Sequence, residues 1–287
     1  MLATRLPGQF IVVAIALLAS GSIDAAGLRP LPPGDLTPAQ QRSLDDLVAS
    51  PDYFSPAMRL REQANEGVFH ALEALSTNKD KEVRGRAGYA LVLIASKETL
   101  GAAIRIALTD KEVRVRETIA TGLMSREIAE LMTEAGLLEE CKKGLADKKL
   151  EVRLAFALIL QINHDPSGIA VLEKGLAHRD HHWQETSAEA LAELGNDAGG
   201  AILIKMLNYD DKNHPLIRAN PEARADQAAL ASLLETINDE RVRVCGHLAK
   251  LRHRQALPVL EKLTRSQVAR VAEAAKVAIE AIGKESP

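Results

Sequence analysis

The stretch Asp80-Lys81-Glu82-Val83-Arg84 specifies the architecture, because its pattern returns at near-regular intervals along the 287-residue chain. Four copies are clear and two are weaker, and their equivalent apolar positions are Val83, Val113, Val152, Trp183, Val242 and Val271. The spacing is nearly constant except for a longer step before Val152 and a much longer one before Val242. A period of about 30 residues is typical of a solenoid, in which each unit buries its apolar face against its neighbours. The sequence therefore predicts one elongated array with two insertions.

Each copy of the pattern predicts an amphipathic helix. After Val83, small or aliphatic residues follow four, seven, eight and eleven places on, and these offsets form one stripe of a helix. Motif helices are predicted over 80–96, 111–132, 148–163, 181–194, 240–252 and 267–283, and partner helices over 98–108, 135–145, 166–177, 197–207 and 254–264. Trp183 takes the place of Val83 in its copy, so we expect this single Trp in the core rather than against a ligand.

The long step between Trp183 and Val242 contains an insertion over 208–237. Its first part, 208–220, is polar and lacks helical periodicity, and an extra helix is predicted from Pro221. Long loops in a tight array are usually functional or disordered, and the sequence leaves both open. The predicted domains are a signal peptide over 1–25, a lead-in and first helix over 26–54, and an all-α repeat domain over 55–287 that opens with a helix over 55–75.

The N-terminus is organised like a secretory signal peptide. Arg5 precedes an apolar run from Phe10 to Ala19, and small residues follow up to Ala25. The run is shorter than the roughly 20 residues that a membrane-spanning helix needs, so we expect cleavage after Ala25, although an uncleaved anchor is an alternative. The sequence thus predicts a periplasmic or secreted protein, and the lack of an Asn-x-Ser/Thr acceptor favours a bacterial one.

Composition limits the classes of partner. A net charge of −3 does not favour binding to nucleic acid or to an anionic membrane.

Cys141 and Cys245 lie in non-adjacent repeats, and a disulfide needs Cα atoms within about 7 Å, so we expect two free, buried thiols. The chain shows no Ser-His-Asp order, paired-carboxylate pattern or phosphate-binding glycine loop in a supporting context, so we expect no catalytic residues, no cofactor and no enzyme.

The repeated pattern resembles the short HEAT-like repeats first noted in phycobilisome-bilin lyases, over about residues 68–283. The resemblance implies a right-handed superhelix of antiparallel helix pairs, with the motif helices on its concave side. It implies little about activity, since such arrays act as scaffolds, adaptors, inhibitors and occasional enzymes. The chain lacks the His-Glu dipeptides that supply the di-iron site of deoxyhypusine hydroxylase, and an export signal does not fit a bilin lyase.

Two sets of polar residues have a functional and a structural interpretation. The arginines Arg84, Arg114, Arg153 and Arg243 could form a basic groove, but they recur in frame with aspartates, which favours helix capping and ion pairs between repeats. The histidines His178, His181, His182 and His214 are predicted at one edge of the array, where they could hold a divalent ion. They lack the spacing of a known metal motif, so solvated loop histidines are the simpler interpretation.

The outer face of the first three motif helices carries small and apolar residues where solvated helices are normally charged. Such a strip must be covered, either by a partner helix or peptide or by the protein's own chain. The sequence therefore predicts a scaffold or adaptor that binds a protein through its concave face, with the anchors Tyr89, Val92, Val115, Ile119, Leu154 and Leu158. The alternatives are a metal-dependent or ligand-modifying activity at the histidine edge and a purely structural envelope protein.

Overall fold

The computed structural model describes residues 31–50 and 52–284, and these residues form sixteen α-helices and no β-strand. The prediction of an all-α fold is confirmed for this part of the chain, while the signal peptide over 1–25 lies outside it. The helices are α1 (Pro38–Ala49), α2 (Phe54–Glu62), α3 (Glu66–Leu75), α4 (Lys81–Ile94), α5 (Lys97–Thr109), α6 (Val113–Gly122), α7 (Arg126–Glu134), α8 (Leu138–Lys143), α9 (Leu150–Ile162), α10 (Ile169–Gly175), α11 (His181–Glu193), α12 (Gly200–Leu207), α13 (Pro215–Ala219), α14 (Gln227–Lys250), α15 (Leu257–Leu263) and α16 (Ala269–Gly283).

The described part of the chain forms two compact units, one up to Val171 and one from Leu172. The repeat domain over 55–287 stays a prediction. The boundary falls within α10. In the first unit the motif helices are α4, α6 and α9, and α6 packs against both of the others. In the second unit α11 and α16 both pack against α14, which contains the fifth copy of the motif.

An aspartate caps the first motif helix of each unit, as the sequence predicts. The Asp80 carboxylate accepts a hydrogen bond from the Glu82 backbone N at 2.9 Å, and that of Asp180 accepts one from the His182 N at 3.0 Å. These bonds satisfy backbone donors that have no partner within the helix. The same residue type therefore opens a motif helix in each unit.

Two predicted helices are interrupted. The helix predicted over 55–75 is broken between α2 and α3, where Asn65 caps a new helix by accepting from the Val68 N at 2.9 Å. The helix predicted over 111–132 ends at Gly122, and Ser125 caps α7 by accepting from the Ile128 N. The first insertion of the array is thus the short helix α7. Both errors arise because the apolar period continues across a local cap.

In the second unit, one continuous helix replaces two predicted helices. Two helices were predicted over 221–237 and 240–252, but α14 runs unbroken for 24 residues from its cap at Asp226. Asp239, which the motif pattern marks as a helix start, lies inside this helix. The segment before it is not a plain loop, since it contains α13 and a 3₁₀ turn over Pro221–Ala225.

Motif and partner helices approach closely where glycine follows alanine at a fixed offset along the chain. A Cβ added at Gly168 would lie 2.8 Å from the Ala157 Cα, and one added at Gly199 would lie 2.6 Å from the Ala188 Cα. Glycine is therefore required for the backbone contact in the last repeat of the first unit and in the first repeat of the second.

The predicted core assignments are confirmed. Trp183 is buried, and both cysteines are free and buried. Burial raises the pKa of the Cys141 thiol to about 12 and that of Cys245 to about 11. Neither thiol is a reactive nucleophile at neutral pH, because the thiolate is the reactive form.

Candidate functional site

The repeated arginines and aspartates form ion pairs between successive repeats in the first unit. Arg84 donates to both carboxylate oxygens of Asp110, at 2.6 and 3.0 Å, and both side chains are 6% exposed. Arg116 makes the same two-bond contact with Asp147, at 2.7 and 3.0 Å. Burial raises the pKa of both aspartates, but hydrogen bonds from the arginines and from backbone N–H groups, with the positive charge of the arginines, outweigh it and hold both pKa values below the ordinary one. These arginines are structural, as the in-frame pattern favoured.

Of the four arginines predicted to have this structural role, Arg114 does not form the ion pair between repeats. Arg114 is exposed, and Arg116 takes its place, because α6 begins later after its aspartate, Asp110, than α4 does after Asp80. Arg153 donates to backbone carbonyls of Asp147 and Lys148 at 2.6 and 3.1 Å. The fourth arginine of the set belongs to the second unit and has a different environment, described below.

The six predicted anchors are all buried by the protein's own chain. Their exposures lie between 0% and 7%, and the residues are Tyr89, Val92, Val115, Ile119, Leu154 and Leu158. Of the two covers that the sequence allowed for the apolar strip, the structure shows the protein's own chain. These residues are therefore core, and none presents a free surface to a partner in this structure.

Small residues and the first helices explain this burial. A Cβ added at Gly88 would lie 2.2 Å from the Ile119 Cδ1, so α4 and α6 interdigitate at a glycine. The Tyr53 ring meets the Tyr89 ring edge-on, with centroids 5.5 Å apart, and covers it from the side of α1 and α2. Arg86 holds this cover, since its Nη1 donates to the Val48 carbonyl at 2.7 Å. Sequence periodicity marks an apolar face but does not reveal how closely two helices approach it.

The predicted histidine edge does not assemble into one site. The His178 ring lies beside Trp183, and His182 is packed against the same indole. The exposed His181 contacts the Gln184 side chain at 3.1 Å, and His214 lies in a separate cluster. Within residues 31–50 and 52–284, no group of three or more His, Cys, Asp or Glu side chains is arranged to hold a metal ion.

The second unit brings together three glutamates, which we call the carboxylate cluster: Glu185, Glu189 and Glu240. The first two lie one turn apart on α11, and the third lies on α14, which packs against α11. The side chains of Glu189 and Glu240 are 19% and 15% exposed, so both carboxylates remain partly accessible to water.

Each carboxylate of the cluster has one polar partner of a different kind. The Tyr209 hydroxyl donates to Glu185 Oε1 at 2.9 Å. The His214 Nε2 lies 3.2 Å from Glu240 Oε1, and this imidazole is almost fully buried. Arg243 donates to both oxygens of Glu189, at 3.0 and 3.3 Å, while remaining about half exposed.

Ionisation of Glu185 and Glu189 is less favourable in the cluster than in water. Burial raises the pKa of Glu185, and the hydrogen bond from Tyr209 offsets only part of that effect. Burial also raises the pKa of Glu189, against the opposing attraction of Arg243. The charge of Glu240 raises both pKa values further. Carboxylates with raised pKa values concentrate at functional sites, although structural networks also produce them.

This arrangement suits the binding of a cation from outside. A positively charged group that reached the carboxylate cluster would reduce the repulsion among three partly desolvated carboxylates. The sequence carried a partial signal, because the outer face of the fourth motif helix changes from apolar residues to Glu185 and Glu189. Tyr209, His214 and Glu240 were not predicted to join them, since they lie far from Glu185 along the chain and outside its repeat.

Comparison with known proteins supports the fold. No protein-family model matches the sequence, and no curated protein matches it. The solved structure of YibA from Escherichia coli is similar over 99% of both chains, with 14% identity and a TM-score of 0.53. This likeness extends over nearly the whole chain and concerns the fold alone.

Two further solved structures are similar at lower scores. The complex of CpcE and CpcF of phycocyanin lyase from Nostoc sp. PCC7120 matches 91% of this chain and 100% of its own, with 15% identity and a TM-score of 0.42. A designed armadillo repeat protein in complex with the peptide (KR)4 matches 86% of this chain and 100% of its own, with 19% identity and a TM-score of 0.36. The fold comparison therefore rests on YibA.

A helix must be both long and apolar to cross a bilayer. Across the described residues, none combines the length and the apolar character needed to cross a membrane.

Proposed function

We propose that this protein is a helical-repeat scaffold of the short HEAT-like kind that binds another protein through the carboxylate cluster of its second unit. The recurrence of the Asp and Val-Arg positions with a near-regular period supports the HEAT-like assignment. The apolar strip of the first unit has a structural role in this proposal, as part of the core that holds the motif helices in place. The protein acts by binding rather than by catalysis.

One observation carries the proposal: three partly buried glutamates share a small region of α11 and α14, and two of them have raised pKa values. A structural ion-pair network would be expected to match its carboxylates with cations, as the first unit does with Arg84 and Arg116. In the cluster the partners are a phenol, an imidazole and one half-exposed arginine. The partner protein therefore presents lysine or arginine side chains.

Binding of a labelled basic peptide tests this function. Fluorescence anisotropy would measure the affinity of fluorescein-octalysine for the chain from residue 26 to 287, with octaglutamate as the peptide control. We expect Glu185→Gln/Glu189→Gln to weaken octalysine binding about thirtyfold, since each of the two lost charge pairs contributes about 1 kcal/mol at a partly buried site. The variant Glu261→Gln/Glu280→Gln removes the same charge from exposed positions of the same unit and should bind like wild type. Equal affinity of all three proteins, or no binding by wild type, would contradict the proposal.

We further propose that the mature protein begins at Ala26 and acts outside the cytoplasm, on the signal-like sequence that ends at Ala25. N-terminal sequencing of the protein recovered from a periplasmic or secreted fraction tests this. A cytoplasmic protein that retains Met1 would overturn the export proposal and leave the binding proposal untouched.

A further inference from the structure

The histidines are distributed unequally between the two units. Of the eight in the chain, the first unit holds His70 and His164, and both are exposed. The second unit holds the other six, and three of these have a buried Nε2 atom with no hydrogen-bond partner among the described residues: His182, His247 and His253. Protonation would give each of these rings a charge and a second N–H donor in a place that offers no acceptor. The fold of the second unit therefore favours neutral imidazoles.

Two of the three imidazoles lie at opposite ends of α11. His182 belongs to its first turn and packs against Trp183, with ring centroids 5.9 Å apart. His247 of α14 is 8% exposed and lies near Glu193 in the last turn of α11. Lys250 fixes the same end, since its Nζ donates to the Glu193 carbonyl. We infer that α11 is an acid-sensitive element of the second unit, which stays packed while both imidazoles are neutral and loosens when mild acid protonates them.

Burial and charge both act on His247. Burial lowers its pKa below the ordinary 6.5, the charge of Glu193 opposes this, and Arg243 and Lys250 on the same helix lower it further. Within the described residues, these are the charged groups that act on the ring. The helices α12 and α16, which also pack against α14, contribute apolar side chains to the same core as Leu248, the next residue. An imidazolium here would therefore face two positive charges and one negative charge beside an apolar core.

His182 is affected in the same direction. Burial lowers its pKa, against the charge of Asp180, whose carboxylate accepts a hydrogen bond from the His182 backbone N at 3.0 Å. Among the described residues, Asp180 is the charged group that acts on this ring. Because both pKa values are lowered, the loosened chain binds protons more readily than the packed one. The stabilisation from both imidazoles is therefore complete above about pH 6.5 and is lost as the pH falls below it.

Amide exchange measured by mass spectrometry tests this inference, because protection factors report each helix separately. Wild type would be compared at pH 7.5 and 5.5 with His247→Met and with the control His181→Met, which replaces the exposed neighbour of His182 on α11. We expect the protection of α11 in wild type to fall by up to about tenfold for each imidazole, while α4 and α6 change less than about twofold. In His247→Met the fall should be about fivefold smaller, and His181→Met should follow wild type.

Glu185 and Glu189 are common to all three proteins, so their titration cancels when the variants are compared with wild type. If His247→Met and wild type lose the same protection over α11, the imidazole does not hold this helix and the inference is wrong. A fall of equal size over α4, α6 and α11 would also overturn it, since acid would then act on the whole protein.

If His247→Met does not fold, NMR titration of the imidazole Cε1–H signals of wild type decides the question. At least two titration midpoints below pH 6.5 are expected, and ordinary midpoints for all eight histidines would reject the inference. Octalysine binding plays no part in these measurements, so their result is independent of the proposed function.

Discussion

The same helical position has opposite chemistry in the two units. Six places after the motif position, α4 carries Tyr89 and α9 carries Leu158, and both are buried. At that position α11 carries Glu189, whose side chain is 19% exposed and paired with Arg243. The backbone pattern is shared, since each helix follows its Asp and places small residues against its partner helix. The difference shows that the repeat fixes where a side chain points, and that the residue at that position decides whether the face is buried as core or stays partly open to water.

The largest effect is expected when the apolar residue at this position is replaced by glutamate in the first unit and the glutamate by isoleucine in the second. Leu158→Glu places an unpaired carboxylate in a buried site and should destabilise the protein by more than about 4 kcal/mol. Glu189→Ile should change the stability by less than about 1 kcal/mol, because a partly buried ion pair can be replaced by an apolar residue at little cost.

Urea unfolding would measure both variants, with far-UV circular dichroism for overall helicity and fluorescence of Trp183 for the second unit. Glu189→Ile should also weaken octalysine binding while folding normally. A stable, helical Leu158→Glu would show that the strip of the first unit is accessible, and the partner-binding role of the six buried residues would then need to be considered again.

The inter-repeat ion pairs give a second, smaller contrast. Arg84→Met leaves Asp110 buried without its partner and should cost about 3 kcal/mol or more. In the second unit, Arg270 pairs with Asp239 and Glu235, but its side chain is 40% exposed and those of its partners 59% and 65%. Arg270→Met should therefore cost at most about 1 kcal/mol. Equal losses in urea unfolding would mean that exposure does not determine the strength of these pairs.

The sequence predicted the regular part of this contrast well. Apolar offsets from Val83 and its equivalents predicted a helix at each motif, although the bounds of α6 and α14 differ from those predicted, and the in-frame recurrence of Asp and Arg indicated ion pairs such as Arg84–Asp110. These features repeat, so each copy supports the others. The breaks at Asn65 and Ser125 depend on single local caps, which an apolar period does not reveal.

The candidate site was less predictable because it is built from residues that do not repeat. Glu185 lies on the outer face of the fourth motif helix, where a charged residue is the ordinary expectation, and its partners come from an insertion and from the following motif helix. Their meeting depends on the path of the segment 208–226, which no periodicity encodes. Likewise, the burial of Ile119 depends on the close approach at Gly88, and a sequence pattern does not specify that distance.

The last and smallest contrast concerns pH. Burial raises the pKa values of Glu185 and Glu189 above the ordinary 4.5, so their contribution to stability is fully present below about pH 4.5 and is lost as the pH rises through the raised values. For Asp110 and Asp147 the sign is opposite, since their pKa values lie below the ordinary 3.8 and their contribution is lost only in stronger acid.

Thermal unfolding between pH 7 and pH 4.5, followed by Trp183 fluorescence, therefore isolates the glutamates. Glu185→Gln/Glu189→Gln should unfold at a higher temperature than wild type at pH 7, because it lacks the repelling charges, and this advantage should shrink as the pH falls. Glu261→Gln/Glu280→Gln provides the charge-matched control. A difference between wild type and the cluster variant that stays constant with pH would show that the glutamates are not held at raised pKa values. The carboxylate cluster would then be an ordinary solvated surface, and its preference for a cationic partner would lose its physical basis.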